Sequence, residues 1–286
     1  MVRIADALSK AESERKDEGR QKRTTVSEQD VVPSFSSQAD SHFSAQTTIR
    51  AAQTNGKWDE RLSKAVNEDP HLPEIFKNLR SRILHPSGDR PRPRTVLVMS
   101  VAPGEGKSFV AANLGISLSQ SIDPYCLLVD CDLRRPSLSK ILGVKTDKGL
   151  VDYLRYGEDI GSLVIRTSLD KLSILPCGNT PKNPAELLGS ARMSSLVEEL
   201  AERYEDRTTI FDSPPSLAAS ETLVLAAQVD GIILVVREGG AGREKIRRLI
   251  DSIDPDRLLG LVFNCHTTNI VERYVMDGYK YQKYYK

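Results

Sequence analysis

Six runs of near-continuous apolar residues occupy the later two thirds of the chain: TVLVMSV at 95–101, YCLLVDCD at 125–132, LSILPCG at 172–178, TTIFDSPP at 208–215, GIILVVRE at 231–238 and LLGLVFNCH at 258–266. Between them fall stretches with helical spacing, notably KSFVAANLGISLSQS, ARMSSLVEELAERY and REKIRRLIDSI. Strands without polar alternation bury both faces, and their alternation with helices predicts an α/β fold: a mostly parallel sheet with helices on both faces. One domain over 69–271 accounts for these elements. It opens with a helix in HLPEIFKNLRSRIL, where Ile75, Phe76, Leu79 and Ile83 form an apolar stripe opposite Glu74, Lys77 and Ser81.

Upstream the pattern fades. Residues 13–68 are rich in Ser, Thr, Gln and charge, with too few aliphatics to offset the entropy of ordering, so a flexible, disordered linker is expected there. Ahead of it, Ile4, Leu8 and Ala11 stand at helical spacing and predict a short amphipathic helix over 1–12, either formed on a partner or frayed. No stretch approaches the ~18 apolar residues of a membrane span, and the N-terminus lacks a signal peptide's apolar core. The expectation is therefore a cytoplasmic protein.

At 286 residues the chain can build a sizeable core, and its formal charge of +1 gives no global reason to expect nucleic acid or an anionic membrane as main partner. Cys126, Cys131, Cys177 and Cys265 form no C-x-x-C pair and read as thiols in a reducing compartment.

The chemistry concentrates at strand ends. VMSVAPGEGKSFVAANL sets a loop between a strand and a helix and closes it with Gly106, Lys107 and Ser108. Small residues let backbone N–H groups turn around phosphate oxygens, the helix N-terminus adds its positive end, a lysine bridges β- and γ-phosphates, and a hydroxyl serves Mg²⁺. Pro103, Gly104, Glu105, Gly106, Lys107, Ser108 and Phe109 are thus the expected nucleotide cradle, although Val101 stands where G-x-x-x-x-G-K-[ST] begins with glycine. Asp130, Asp132 and Asp212 each follow an apolar strand. Singly, each is explained as readily by a turn or helix cap; beside a Lys-Ser loop, three together point to the ligand edge of an open α/β sheet.

The chain closes on RYVMDGYKYQKYYK, with Tyr274, Tyr279, Tyr281, Tyr284 and Tyr285 among its nine tyrosines. Their spacing fits neither a strand nor an apolar helix stripe, which leaves an aromatic contact surface or a chemical use.

The segments APGEGKS, LLVDCDLRRP and TIFDSPP, in this order, with PCGNTPKNPAELLGS and the tyrosine-rich tail, resemble the bacterial tyrosine autokinases of capsular and exopolysaccharide synthesis, P-loop proteins related to the partitioning and cell-division ATPases. The likeness spans roughly residues 70–286. It implies ATP and Mg²⁺ as cofactors, Lys107 on the terminal phosphates, and Ser108, Asp130 and Asp212 at the metal. Asp130 and Asp132 would then position metal and activate tyrosine, with Arg134 and Arg135 near the transferred phosphoryl or the incoming tail. It implies the tail 272–286 as phosphoacceptor on a neighbouring copy, which suits the chemistry: a phenol with pKa ~10 needs a carboxylate for its proton and cations for the phosphoryl charge. In this family a Glu-x-x-Arg-x-x-Arg helix builds a ring; here Glu74, Lys77 and Arg80 take those places, and Lys77 cannot make arginine's bidentate pair. The family also implies a separate membrane-spanning co-polymerase-like activator, holding the kinase at the inner face of the membrane, and a protein-tyrosine phosphatase. The rival is a positioning ATPase without kinase activity; such proteins carry an extra lysine early in the loop, where this chain has Ala102.

Overall fold

The computed structural model describes residues 50–51, 57–69, 71–86, 90–122, 125–202 and 206–266, all within one compact unit, 46–286. The expected N-terminal helix and the tyrosine cluster lie outside the described residues. The strands are β1 (Arg50–Ala51), β2 (Thr95–Ser100), β3 (Tyr125–Asp130), β4 (Ile165–Arg166), β5 (Leu172–Leu175), β6 (Arg207–Asp212), β7 (Gly231–Arg237) and β8 (Leu258–Asn264), arranged as one sheet in the order β1-β4-β5-β3-β6-β2-β7-β8. Only β4 and β5 pair antiparallel; all other neighbours run parallel. The expected α/β architecture is therefore present.

Alternation along each strand feeds two cores. Val96 and Val98 of β2 pack on one face beneath α1 (Glu60–Asn67), α2 (Leu72–Leu84), α3 (Lys107–Ser119) and α4 (Leu138–Ile141). Leu97 and Met99 pack on the other, beneath α5 (Leu150–Tyr156), α6 (Ile160–Leu163), α7 (Pro184–Leu188), α8 (Ala191–Glu202), α9 (Glu221–Ala226) and α10 (Arg243–Asp251). This double cover is why the runs read as continuously apolar. Helix α3 is buried through most of its length because it lies across the middle of the sheet.

Two features depart from the sequence reading. The linker expected to reach residue 68 ends earlier: Asp59 caps α1 by accepting from Arg61 N–H, and Leu62 and Ala65 bury against the α3 face. The helix is amphipathic but only eight residues long and set in a charged, polar stretch, and tertiary packing of its two buried apolar positions fixes it. On α2, Phe76 and Ile83 are buried as expected, whereas Ile75 is 55% exposed. No described helix is long and apolar enough to cross a membrane. Cys126, Cys131 and Cys177 are buried free thiols and Cys265 is exposed.

Candidate functional site

The loop from β2 to α3 is braced from several directions. Val101 is buried and is not among the residues with positive φ, so the pattern's first glycine is not required at this place. Gly106 does require its freedom: φ is +95°, and a Cβ there would stand 2.0 Å from Asn264 Nδ2. That same amide donates to Glu105 O at 2.9 Å, and Arg237 Nη1 donates to Gly104 O at 3.3 Å. The Glu105 carboxylate turns inward, accepting from Ala102 N at 2.9 Å and Ala241 N at 3.1 Å. It ties the loop to the segment after β7, so Glu105, expected in the cradle, offers that cradle its main chain only. Gly106 supplies no side-chain cap to α3. The first-turn N–H groups and the positive end of the helix therefore face an anion site.

The acids gather beside this loop because of register. Asp130 and Asp212 are paired across β3 and β6, and by alternation they follow Leu128 and Ile210 onto the face that α3 covers. Asp130 Oδ2 accepts from Ser137 N and Leu138 N, each at 3.1 Å, and so caps α4; its Oδ1 is buried without a partner. Neither oxygen of fully buried Asp212 makes a hydrogen bond of ordinary geometry. The Ser108 hydroxyl stands close enough to draw the Asp212 pKa down, as does the Lys107 ammonium, but neither overcomes burial, which pushes it up to about 7. Burial, followed by the charge of Asp212, also holds Asp130 well above the carboxylate range. Asp132 is raised by burial too, opposed by nearby Lys107 and by its hydrogen bonds with the Arg135 and Arg134 amides.

Above these groups opens a cleft of about 850 Å³, lined by Pro103, Gly104, Gly106, Lys107, Ser108, Phe109 and Asp132 among others, a size suited to a small-molecule ligand. Arg134 and Arg135 line it as well, as do Asp59, Arg61 and Lys140 from α1, α4 and their approaches. Asp130 and Asp212, both fully buried, are not among its lining residues. Glu74, Lys77 and Arg80 are not among its lining residues: Lys77 pairs with Glu74 at 3.2 Å on the exposed face of α2, while Arg80 Nη1 donates to Ser117 O at 2.5 Å, within the same chain. Sequence reading missed Glu221, whose buried carboxylate pairs with Arg134, and the wall contributed by Asp59 and Arg61. A glutamate opening a short helix and a charged pair in a polar stretch carry no spacing that would single them out.

A glycine-turned loop at a helix N-terminus, a nearly buried lysine and buried strand-end carboxylates define a phosphate-handling site of P-loop type at the carboxyl edge of a parallel sheet. No protein-family model matches the chain. It is 33% identical over 193 residues to the tyrosine-protein kinase YwqD of Bacillus subtilis, covering 67% of this chain and 80% of that one. It is 32% identical over 170 residues to the tyrosine-protein kinase ptk of Acinetobacter johnsonii, covering 59% of this chain but 22% of that much longer one. Among solved structures, the kinase domain of the Escherichia coli tyrosine kinase ETK superposes with a TM-score of 0.61 at 25% identity, covering 73% of this chain and 82% of that one. The chain belongs to the bacterial tyrosine-protein kinases, a nucleotide-binding family, and the reading as a positioning ATPase is set aside.

Proposed function

We propose that this kinase transfers the γ-phosphoryl group of ATP to its own C-terminal tyrosines, Tyr274, Tyr279, Tyr281, Tyr284 and Tyr285, on a neighbouring copy, and so regulates synthesis and export of a capsular or extracellular polysaccharide. The observation that carries the reading is Asp212: a fully buried carboxylate at the phosphate loop whose charge is opposed by burial and only partly offset by the neighbouring Ser108 hydroxyl and Lys107 ammonium. Such a group is costly until a cation arrives. Mg²⁺ is held by one or two carboxylates together with substrate phosphates, and the residues beside the loop can supply such a set. Ser108, Asp212 and the free oxygen of Asp130 would hold it, and when bound it neutralises charge on the phosphates.

The chain's own groups divide the remaining work. Lys107 and the backbone N–H groups of 104–109 grip the phosphates. Asp132, at the cleft surface, is placed to orient an acceptor hydroxyl and receive its proton, for which a raised pKa is suited. The domain 69–271, extended upstream by α1 and by the edge strand β1, is the kinase, the segment from 13 up to β1 its linker and 272–286 its substrate. Glu74, Lys77 and Arg80 serve assembly, a membrane-spanning co-polymerase-like protein recruits and activates the kinase, and a protein-tyrosine phosphatase resets it. Incubation with radiolabelled ATP and Mg²⁺ should place label on tyrosine in the full chain and remove most of it from a chain lacking 272–286. Undiminished labelling of the shortened chain would put the acceptor elsewhere.

Each added phosphate brings roughly −1.5 to −2 charge to a basic tail, so extensive modification should release tails from neighbouring clefts and favour monomers. Light scattering after ATP treatment should find a larger mass for the variant with all five tail tyrosines changed to Phe than for phosphorylated wild type. Equal masses would remove charge release from the cycle.

A further inference from the structure

One ion pair runs from the rim of the cleft into the protein interior. Arg134 follows Asp132 in the turn after β3, and its Nη2 and Nε both donate to Glu221 Oε1, at 2.9 and 3.3 Å. The Glu221 side chain is 5% exposed and that of Arg134 is 42% exposed. Glu221 is the first residue of α9, at the far end of the loop that leaves Asp212. That loop is itself fastened beneath the phosphate loop: Ser216 N and Leu217 N donate to Ser100 O and Val101 O at 2.9 and 3.1 Å, and Thr222 Oγ1 donates to Pro214 O at 3.1 Å. The ion pair thus joins the segments leading away from the two acidic strand ends, Asp130 to Asp132 on one side and Asp212 on the other.

The geometry constrains what the pair does. A carboxylate this deep is costly without a charged partner, and among the described residues Arg134 fills that role. Only one edge of the guanidinium is used. Nη1 makes no bond to Glu221, and the arginine lines the same cleft as Lys107 and Asp132. Arginine on a flexible stem loses rotamer freedom whenever it must point in one direction; an anchor on its inner edge removes that loss before substrate arrives. Cations fixed in advance near developing phosphoryl charge act on the transition state rather than on ground-state binding.

We propose that Glu221 is a positioning residue for phosphoryl transfer: it holds the inner edge of Arg134 so that the outer edge is presented to the phosphoryl group in the cleft. The assignment rests on the reading of the cleft as the transfer site. It differs from a purely structural staple in where the effect appears, on turnover with nucleotide affinity and melting preserved.

The test compares Glu221→Gln, Glu221→Asp, Arg134→Lys and the double variant Glu221→Gln/Arg134→Lys in the full chain with Mg²⁺ and ATP. ADP release and phosphotyrosine are read in parallel, so a failure of the tyrosine-acceptor reading leaves the ratio of variant to wild-type turnover measurable. Glu221→Gln should lower kcat about 10- to 100-fold, with KM for ATP and the affinity for a fluorescent ADP analogue within about threefold of wild type and Tm little changed. Glu221→Asp, which keeps the charge, should recover part of the loss. The double variant should be no slower than the slower single one, because the two residues act as one unit. Turnover of Glu221→Gln within about threefold of wild type overturns the assignment, as do multiplicative losses in the double variant or parallel losses of nucleotide affinity and Tm.

Discussion

Changing Lys107 to methionine is expected to lower phosphotyrosine formation by ~10²-fold or more while leaving the protein folded. Lys107 is the first residue of α3 and is 6% exposed, so its ammonium sits where the helix end and the loop amides converge. Methionine keeps the stem's packing and removes the charge. The loop has independent supports, namely the Glu105 bonds to Ala102 and Ala241, the Asn264 bond to Glu105 O and the Arg237 bond to Gly104 O, none of which involves Lys107. Its conformation should therefore survive. Immunoblotting for phosphotyrosine, with a thermal melt of the same preparation, checks both halves. Wild-type levels of transfer in a folded variant would remove Lys107 from the chemistry.

Those supports also mark the limit of what sequence discloses. The strands were legible because a sheet covered on both faces must be apolar along its whole length, and the phosphate loop because anion binding demands glycine, lysine and a helix start at fixed spacing. Register was not legible. Only the pairing of β3 with β6 puts Asp130 and Asp212 side by side, and the order of strands in a sheet is set by contacts far apart in the chain. Nor does spacing reveal that one oxygen of Asp130 caps α4, or that Glu105 turns away from the cleft toward Ala241. Arg80 is a related case. Its Nη1 bonds to Ser117 O, because a long side chain at the edge of α2 reaches the carbonyls ending α3, and that contact has no signature in the spacing of Glu74, Lys77 and Arg80. Glu221 and Arg134 are 87 residues apart, and a pairing of that range has no local signature.

The same burial that makes Asp212 a candidate ligand predicts a trade between stability and activity. Its pKa is raised from the ordinary 3.8 to about 7, chiefly by desolvation, against the pull of Lys107 and Ser108. A carboxyl whose folded-state pKa lies above its unfolded value favours folding while protonated. That contribution is complete below the unfolded pKa and is lost as pH rises through the folded one. Without metal and nucleotide, the wild-type chain should thus lose stability from this group between about pH 4 and pH 7. Asp212→Asn imitates the protonated acid in size and charge and avoids the loss. It should exceed wild type by on the order of 1–3 kcal/mol at pH 8, with the difference shrinking toward pH 4. The variant should also have lost ~10²-fold or more of transfer, because the residue proposed to hold Mg²⁺ is neutral. Urea denaturation of both proteins at pH 4.5, 6 and 8 in chelator, alongside a transfer assay, measures the two effects together. A variant less stable than wild type at pH 8 would mean that Lys107 and Ser108 outweigh the cost of burial in the folded chain, and the case for a site waiting on a cation would fall with it.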